Sequence, residues 1–246
     1  MVREFYIDCN GEQIAAASFM NKSDKCVILM NGFSHSKSDF DYFYTDIAKK
    51  LYCDERACSV LFDYVGHGDS TGTMDNGSIK TLSDSLHAVI KAVTTEGKYS
   101  EIILVGIGIA GIILHCLFNS SNDPGVVQAI SKIILLNPAV ETPALHFLDD
   151  GDEFFMPSRF VNHEQYDLFD NLDNPVIFWF ANLGCHIENV LGRRFRRNLL
   201  NDINNMMSGI NYKSFPVETI LINDKDKLPL NPIQKEDIYV KICNSL

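Results

Sequence analysis

The chain has no histidine after His186, no Cys-x-x-Cys pair, no HExxH and no calcium-loop pattern. Zinc-hydrolase, zinc-ribbon and EF-hand chemistry are therefore not encoded, and no metal or other cofactor is implied. No apolar run approaches the ~20 residues that cross a bilayer. Basic residues are scarce as well: 21 Lys and Arg stand against 32 Asp and Glu, a formal charge of −11. Neither nucleic acid nor an anionic membrane is then an expected partner, since both need a cationic surplus. The seven cysteines are odd in number and scattered, which reads as reduced thiols rather than a disulfide framework. Met1-Val2-Arg3-Glu4 runs straight into a strand pattern with no secretory leader, so a cytoplasmic protein is expected.

What is present is an alternation of strand and helix patterns. Val2 to Ile7 and Gln13 to Phe19 read as a hairpin around Asn10-Gly11. Cys26 to Met30 is an apolar run leading into Asn31-Gly32-Phe33. Phe40, Phe43, Tyr44, Ile47 and Leu51 recur at helical spacing after Ser38, a candidate cap. Ser59 to Asp63 is a second buried strand, and Leu82, Leu86, Val89, Ile90 and Val93 mark a second amphipathic helix. Strands at Glu101 to Val105 and Lys132 to Asn137 follow, with an apolar helix from Ile109 to Leu117 between them. This rhythm predicts an α/β fold, a mostly parallel sheet with helices on both faces and right-handed crossovers.

From about residue 140 to 215 the rhythm breaks. An acidic turn at Asp149 to Glu153, an apolar aromatic run from Val176 to Ala181 and a helix-like stretch from Glu188 to Met207 occupy this region. Arg193, Arg194, Arg196 and Arg197 form the one basic cluster and are expected on a solvated helix face. Alternation resumes at Val217 to Ile222, and a last helix runs to Leu246.

Two motifs carry the functional signal. The first is Asp63-Tyr64-Val65-Gly66-His67-Gly68-Asp69-Ser70-Thr71-Gly72, the string D-x-x-G-H-G-x-S-x-G. The second is Gly106-Ile107-Gly108-Ile109-Ala110-Gly111, placed between strand and helix. Alone it is an ordinary glycine-rich turn, or the outline of a dinucleotide site. That site would normally follow the first strand of its sheet, however, and here several elements precede it.

Together, the motifs and the order of segments resemble the α/β-hydrolase family over nearly the whole chain, closest to its esterase and acylaminopeptidase-like branch. The resemblance implies a single α/β-hydrolase domain over 1–246, with 140–215 as a cap over the site. It places Gly108 where the attacking serine should stand, in the strained turn that flanking small residues permit. The carboxylate maps to Asp226, or to Asp224 if that loop is read two residues differently. The histidine that should follow a further strand near the C-terminus has no counterpart, and that final strand is expected to be missing. The oxyanion donors map to the Phe33 and Ile109 N–H groups, with Asn31-Gly32 where the family usually has His-Gly. His35, just past that loop, is the best-placed histidine; His67 reads as structural and Cys116 as a packed thiol.

Three readings follow. In the first, the scaffold binds a small molecule, acyl group or peptide beneath its cap without a serine triad. It then either only binds or moves a proton, as in epimerisation, cyclisation or isomerisation, with Asp226 or His35 as base. Phe154, Phe155, Phe178, Trp179 and Phe180 suit an apolar ligand there. In the second, the chain is a pseudoenzyme acting through protein contacts, with an open sheet edge taking a partner or a second copy. In the third, it is a residual esterase, thioesterase or acyltransferase using water and Asp226.

Overall fold

Four apolar runs become parallel strands buried along most of their length on both faces, and a fifth, half-buried, joins them at the edge of the sheet. The computed structural model describes residues 2–32, 36–74, 77–96, 99–121, 123–138, 187–190, 193–196, 206, 209–222 and 232–246. In chain order the strands are β1 (Val2–Cys9), β2 (Glu12–Phe19), β3 (Lys25–Met30), β4 (Cys58–Phe62), β5 (Glu101–Ile107), β6 (Ile130–Leu136), β7 (Ile187–Val190), β8 (Arg193–Arg196) and β9 (Glu218–Ile222). The helices are α1 (Asp39–Cys53), α2 (Ile79–Thr95), α3 (Ala110–Ser120), α4 (Pro124–Gln128) and α5 (Pro232–Ser245).

Seven strands form one sheet in the order β1-β2-β4-β3-β5-β6-β9. Strand β2 is antiparallel to both neighbours, and β4, β3, β5, β6 and β9 run parallel. The β1–β2 hairpin turns through Asn10 and Gly11, both with positive φ (56° and 86°), the two-residue turn that matches strand twist.

Alternate residues of β3 sort the core into two layers. Cys26, Ile28 and Met30 face α2, α3 and α4, where Leu82, Leu86, Val89, Ile90 and Val93 are buried as their spacing predicts. Val27 and Leu29 face α1 and α5, against Phe43, Tyr44, Ile47, Leu51, Ile238 and Ile242. The Ser78 hydroxyl caps α2 by accepting from the Thr81 N–H. Ser38 stands at the start of α1 but makes no capping bond.

One expectation fails between β6 and β9. Ile187–Val190 and Arg193–Arg196 are strands and not helix: β7 and β8 pair antiparallel, with Glu188 opposite Phe195 and Asn189 opposite Arg194. Gly192, costly inside a helix, and the β-branched Ile187 and Val190 favour this outcome. The acidic turn and the aromatic run expected in this region lie outside the described residues. Strand β9 is the edge of the sheet, and among the described residues a helix rather than a strand follows it. No helix among them is long and apolar enough to cross a membrane.

Candidate functional site

The carboxyl ends of β3 and β5 lie side by side, with Met30 opposite Gly106. The turn leaving β5 is as tight as its glycines allow. A β-carbon on Gly106 would sit 2.3 Å from that of Ala110. Gly108 has φ +58°, the left-handed region, and its N–H donates to the Leu136 carbonyl at 3.2 Å, which ties the turn to the end of β6. Above Gly108 there is room: an added β-carbon would meet nothing described within 4 Å.

Ile109 then begins α3. Its carbonyl accepts from the Ile112 and Ile113 N–H groups, and no side chain caps the helix. Among the described residues the Ile109 N–H has no hydrogen-bond acceptor, as is common for the first donors of a helix.

Next to it, Asn31 is buried and structural: its amide nitrogen donates to the Phe62 carbonyl at 2.7 Å. The Tyr44 hydroxyl donates to the Met30 carbonyl at 2.8 Å, so the last residues of β3 are held from both layers. Burial drives the Tyr44 hydroxyl well above its usual range, with the neighbouring Tyr64 adding to the shift. The Tyr64 hydroxyl is itself fully buried, also shifted up by burial, and has no hydrogen-bond partner among the described residues.

The D-x-x-G-H-G-x-S-x-G loop is built around Asp63, whose carboxylate is fully buried. Asp63 Oδ1 accepts from the Lys37 N–H at 2.5 Å, and Oδ2 accepts from the Lys37 ammonium at 2.6 Å and the Asp69 N–H at 2.9 Å. Position 68 must be glycine, because a β-carbon there would lie 2.2 Å from Asp63 Oδ2. Burial weakens the Lys37 charge, but hydrogen bonds and attraction from Asp63 and Asp69 outweigh it and hold the ammonium above its ordinary range. Ser70 donates to the Asp63 carbonyl at 2.7 Å and accepts from the Ala15 N–H at 2.8 Å, so the motif's serine fastens the loop to β2. His67 is buried with Nδ1 3.2 Å from the Val65 carbonyl, a structural placement.

Of the residues expected at the site, Gly108, Ile109 and Asn31 come together at the ends of β5 and β3. Phe33, His35, Asp224 and Asp226 lie outside the described residues. Lys37 is the residue that sequence reasoning passed over, since a lone lysine in a polar loop has no periodicity and its partner is distant in the chain.

No protein-family model matches the sequence, and no curated protein matches it. Solved structures do. Est1E from Butyrivibrio proteoclasticus with ferulic acid bound superposes with a TM-score of 0.64 at 15% identity, covering 98% of this chain and 97% of that one. The alpha/beta hydrolase GrgF from a Penicillium species gives 0.58 at 16%, covering 98% and 86%. A Pyrococcus furiosus esterase gives 0.56 at 14%, covering 100% and 77%. This is the α/β-hydrolase fold. Ligand sites in such open sheets lie at the carboxyl ends of the parallel strands, the edge that carries Gly108 and Asn31. A groove of about 650 Å³ between β1 and α2 is lined by Asp8, Lys80, Asp84 and His87 and shares no residue with that edge.

Proposed function

We propose that this α/β-hydrolase-fold protein binds a small molecule, acyl group or peptide at the ends of β3 and β5 without hydrolysing it through a serine triad. The observation that carries the reading is Gly108: it has the left-handed φ of an elbow turn, a β-carbon added there would meet nothing described within 4 Å, and it is followed by an N–H with no acceptor among the described residues. A carbonyl or carboxylate oxygen accepting from the Ile109 N–H is the interaction this arrangement suits best. On this reading Phe33 supplies the second donor, residues 140–215 form the cap, and Asp226 or His35 acts as the base if a proton is moved.

Ferulic acid, bound by one structural neighbour, is the natural first probe. Titration with ferulate and methyl ferulate, followed by amide NMR and by chromatography of the products, tests the reading. Saturable shifts at Ile109 with the ester recovered intact are expected. Hydrolysis that survives repurification and disappears in Asp226→Ala would instead favour the residual-esterase reading. Absence of binding by these probes and by short acyl peptides would sink the ligand reading.

A second reading, a pseudoenzyme working through protein contacts, is favoured by the edge position of β9, whose apolar Ile220, Leu221 and Ile222 are half-buried. Sedimentation at rising concentration tests it: a strict monomer with no co-purifying partner counts against it.

A further inference from the structure

Strand β1 closes one side of the sheet and pairs only with β2 among the described residues. The alternation of hydrogen bonds shows which of its main-chain groups are already used. Gln13 and Ala15 of β2 direct both their N–H and their carbonyl away from β1: Gln13 bonds to Thr71, and Ala15 to Ser70 and Asp63. Their register partners on β1 are Asp8 and Tyr6. In an antiparallel ladder such residues form the pairs that exchange no bonds. The N–H and carbonyl groups of Val2, Glu4, Tyr6 and Asp8 therefore point outward, away from β2.

Their side chains are exposed as well, Val2 by 57% and Tyr6 by 65%, whereas Ile7 and Cys9 are buried against the α2 layer. Edge strands are ordinarily protected from pairing by proline, lysine, a bulge or brevity. Strand β1 has none of these: its register with β2 is unbroken from Val2 to Cys9, and it contains neither proline nor lysine. The groove between β1 and α2, lined by Ile7, Ala88 and Ala92 among others, leaves room beside the strand for the side chains of an added one.

The sequence of β1 suits a second copy of itself. A two-fold axis perpendicular to the sheet keeps each face on its own side, so even-numbered residues meet even and odd meet odd. Of the antiparallel registers this allows, the two longest are centred on Tyr6 and on Phe5. Centring on Tyr6 sets Glu4 opposite Asp8 twice, a like-charge pairing that is destabilising. Centring on Phe5 sets Glu4 opposite Tyr6, Arg3 opposite Ile7 and Val2 opposite Asp8, and no like charges meet.

We propose that β1 is a homodimer interface, in which two copies pair antiparallel about Phe5 and join their sheets into one. The inference is independent of the ligand reading and names the edge opposite β9.

Sedimentation equilibrium at physiological salt, which screens the −11 charge of each copy beyond ~8 Å, compares wild type with three variants. Glu4→Pro removes an outward N–H and no bond to β2, so the hairpin is kept while the intermolecular ladder is cut. Tyr6→Glu places a carboxylate opposite Glu4 of the second copy, and Tyr6→Lys places an ammonium there. Wild type is expected to dimerise reversibly. Glu4→Pro and Tyr6→Glu should raise the dimer Kd by about tenfold or more, and Tyr6→Lys should leave it equal or lower. Amide exchange at Glu4, Tyr6 and Asp8 should slow about tenfold or more between dilute and concentrated wild type, with Phe5 and Ile7 protected in both.

A wild type that is monomeric at every concentration overturns the proposal. So does a dimer indifferent to Glu4→Pro, which would place the contact elsewhere, at β9 for example. Equal weakening by Tyr6→Glu and Tyr6→Lys overturns it by excluding the register about Phe5. Outward amides already protected in a dilute monomer overturn it too, since another segment would then cover the strand. Should Glu4→Pro not fold, the two Tyr6 variants, at an exposed position, decide alone.

Discussion

The ring of Tyr212 occupies the place where a side chain at Gly111 would begin: a β-carbon on that glycine would lie 2.3 Å from Tyr212 Cε1. Tyr212 is buried and sits just ahead of β9, so the first turn of α3 is closed by chain returning to the far edge of the sheet. Gly111→Ala should therefore destabilise by about 1–3 kcal/mol, the usual cost of overpacking. Gly106→Ala should cost at least as much, because its β-carbon would strike that of Ala110 across a fixed turn. Urea unfolding checks both, and Ala110→Gly should partly rescue Gly106→Ala. A Gly106→Ala protein with an unchanged midpoint would contradict this packing.

Position 108 should behave differently. With nothing described within 4 Å of an added β-carbon, Gly108→Ala or Gly108→Ser is expected to meet only the strain of a left-handed residue, roughly 1 kcal/mol. Both variants are expected to fold, with smaller losses than Gly106→Ala. Gly108→Ser should hydrolyse nitrophenyl acetate no faster than wild type, since a serine without an imidazole remains a weak nucleophile. Turnover appearing with the serine alone would show that another base reaches the elbow.

The two aspartates on Lys37 should separate cleanly by burial. Asp63→Ala strands two N–H groups and leaves a mostly buried ammonium with only the exposed Asp69 as partner, a loss of about 3 kcal/mol. Asp69→Ala removes a carboxylate that is 76% exposed, for which about 1 kcal/mol or less is expected. Equal losses in denaturant titration would contradict the central place given to Asp63.

Alkaline pH should unfold this protein early. Burial raises the hydroxyls of Tyr44, Tyr64, Tyr99 and Tyr239 above their usual range, and that of Tyr212 to about 12. A group whose folded pKa exceeds its unfolded value contributes stability that is complete below the unfolded pKa and is lost as pH rises toward the folded one. The raised Lys37 ammonium acts in the same direction. Unfolding free energy should thus fall from roughly pH 10 upward, and absorbance at 295 nm should show these tyrosines ionising together with loss of the fold. Their full ionisation near pH 10 with ellipticity intact would count against the burial described.

Much of the framework was legible because buried parallel strands announce themselves as apolar runs and amphipathic helices as spaced ones. Val27 to Met30 and Leu82 to Val93 needed no partner to be read. The β7–β8 ribbon was misread because charged and apolar residues in short segments fit either period, and pairing decided between them. At the carboxyl ends of the strands, the tight turn at Gly106 to Gly108 was legible from its small residues. The lysine that ties the neighbouring segments was not, since its meaning lies in a contact with Asp63, 26 residues away.

Because nothing described crowds position 108, the turn has room for a small side chain as far as the described residues go. One base change in a glycine codon yields serine there, at the strain of a left-handed backbone and without displacing a described neighbour. The same turn has a structural part as well, since it seats α3 against Tyr212 and anchors the end of β6 through Leu136. Changes at Gly106 and Gly111 would therefore register first in the packing of the sheet against α3.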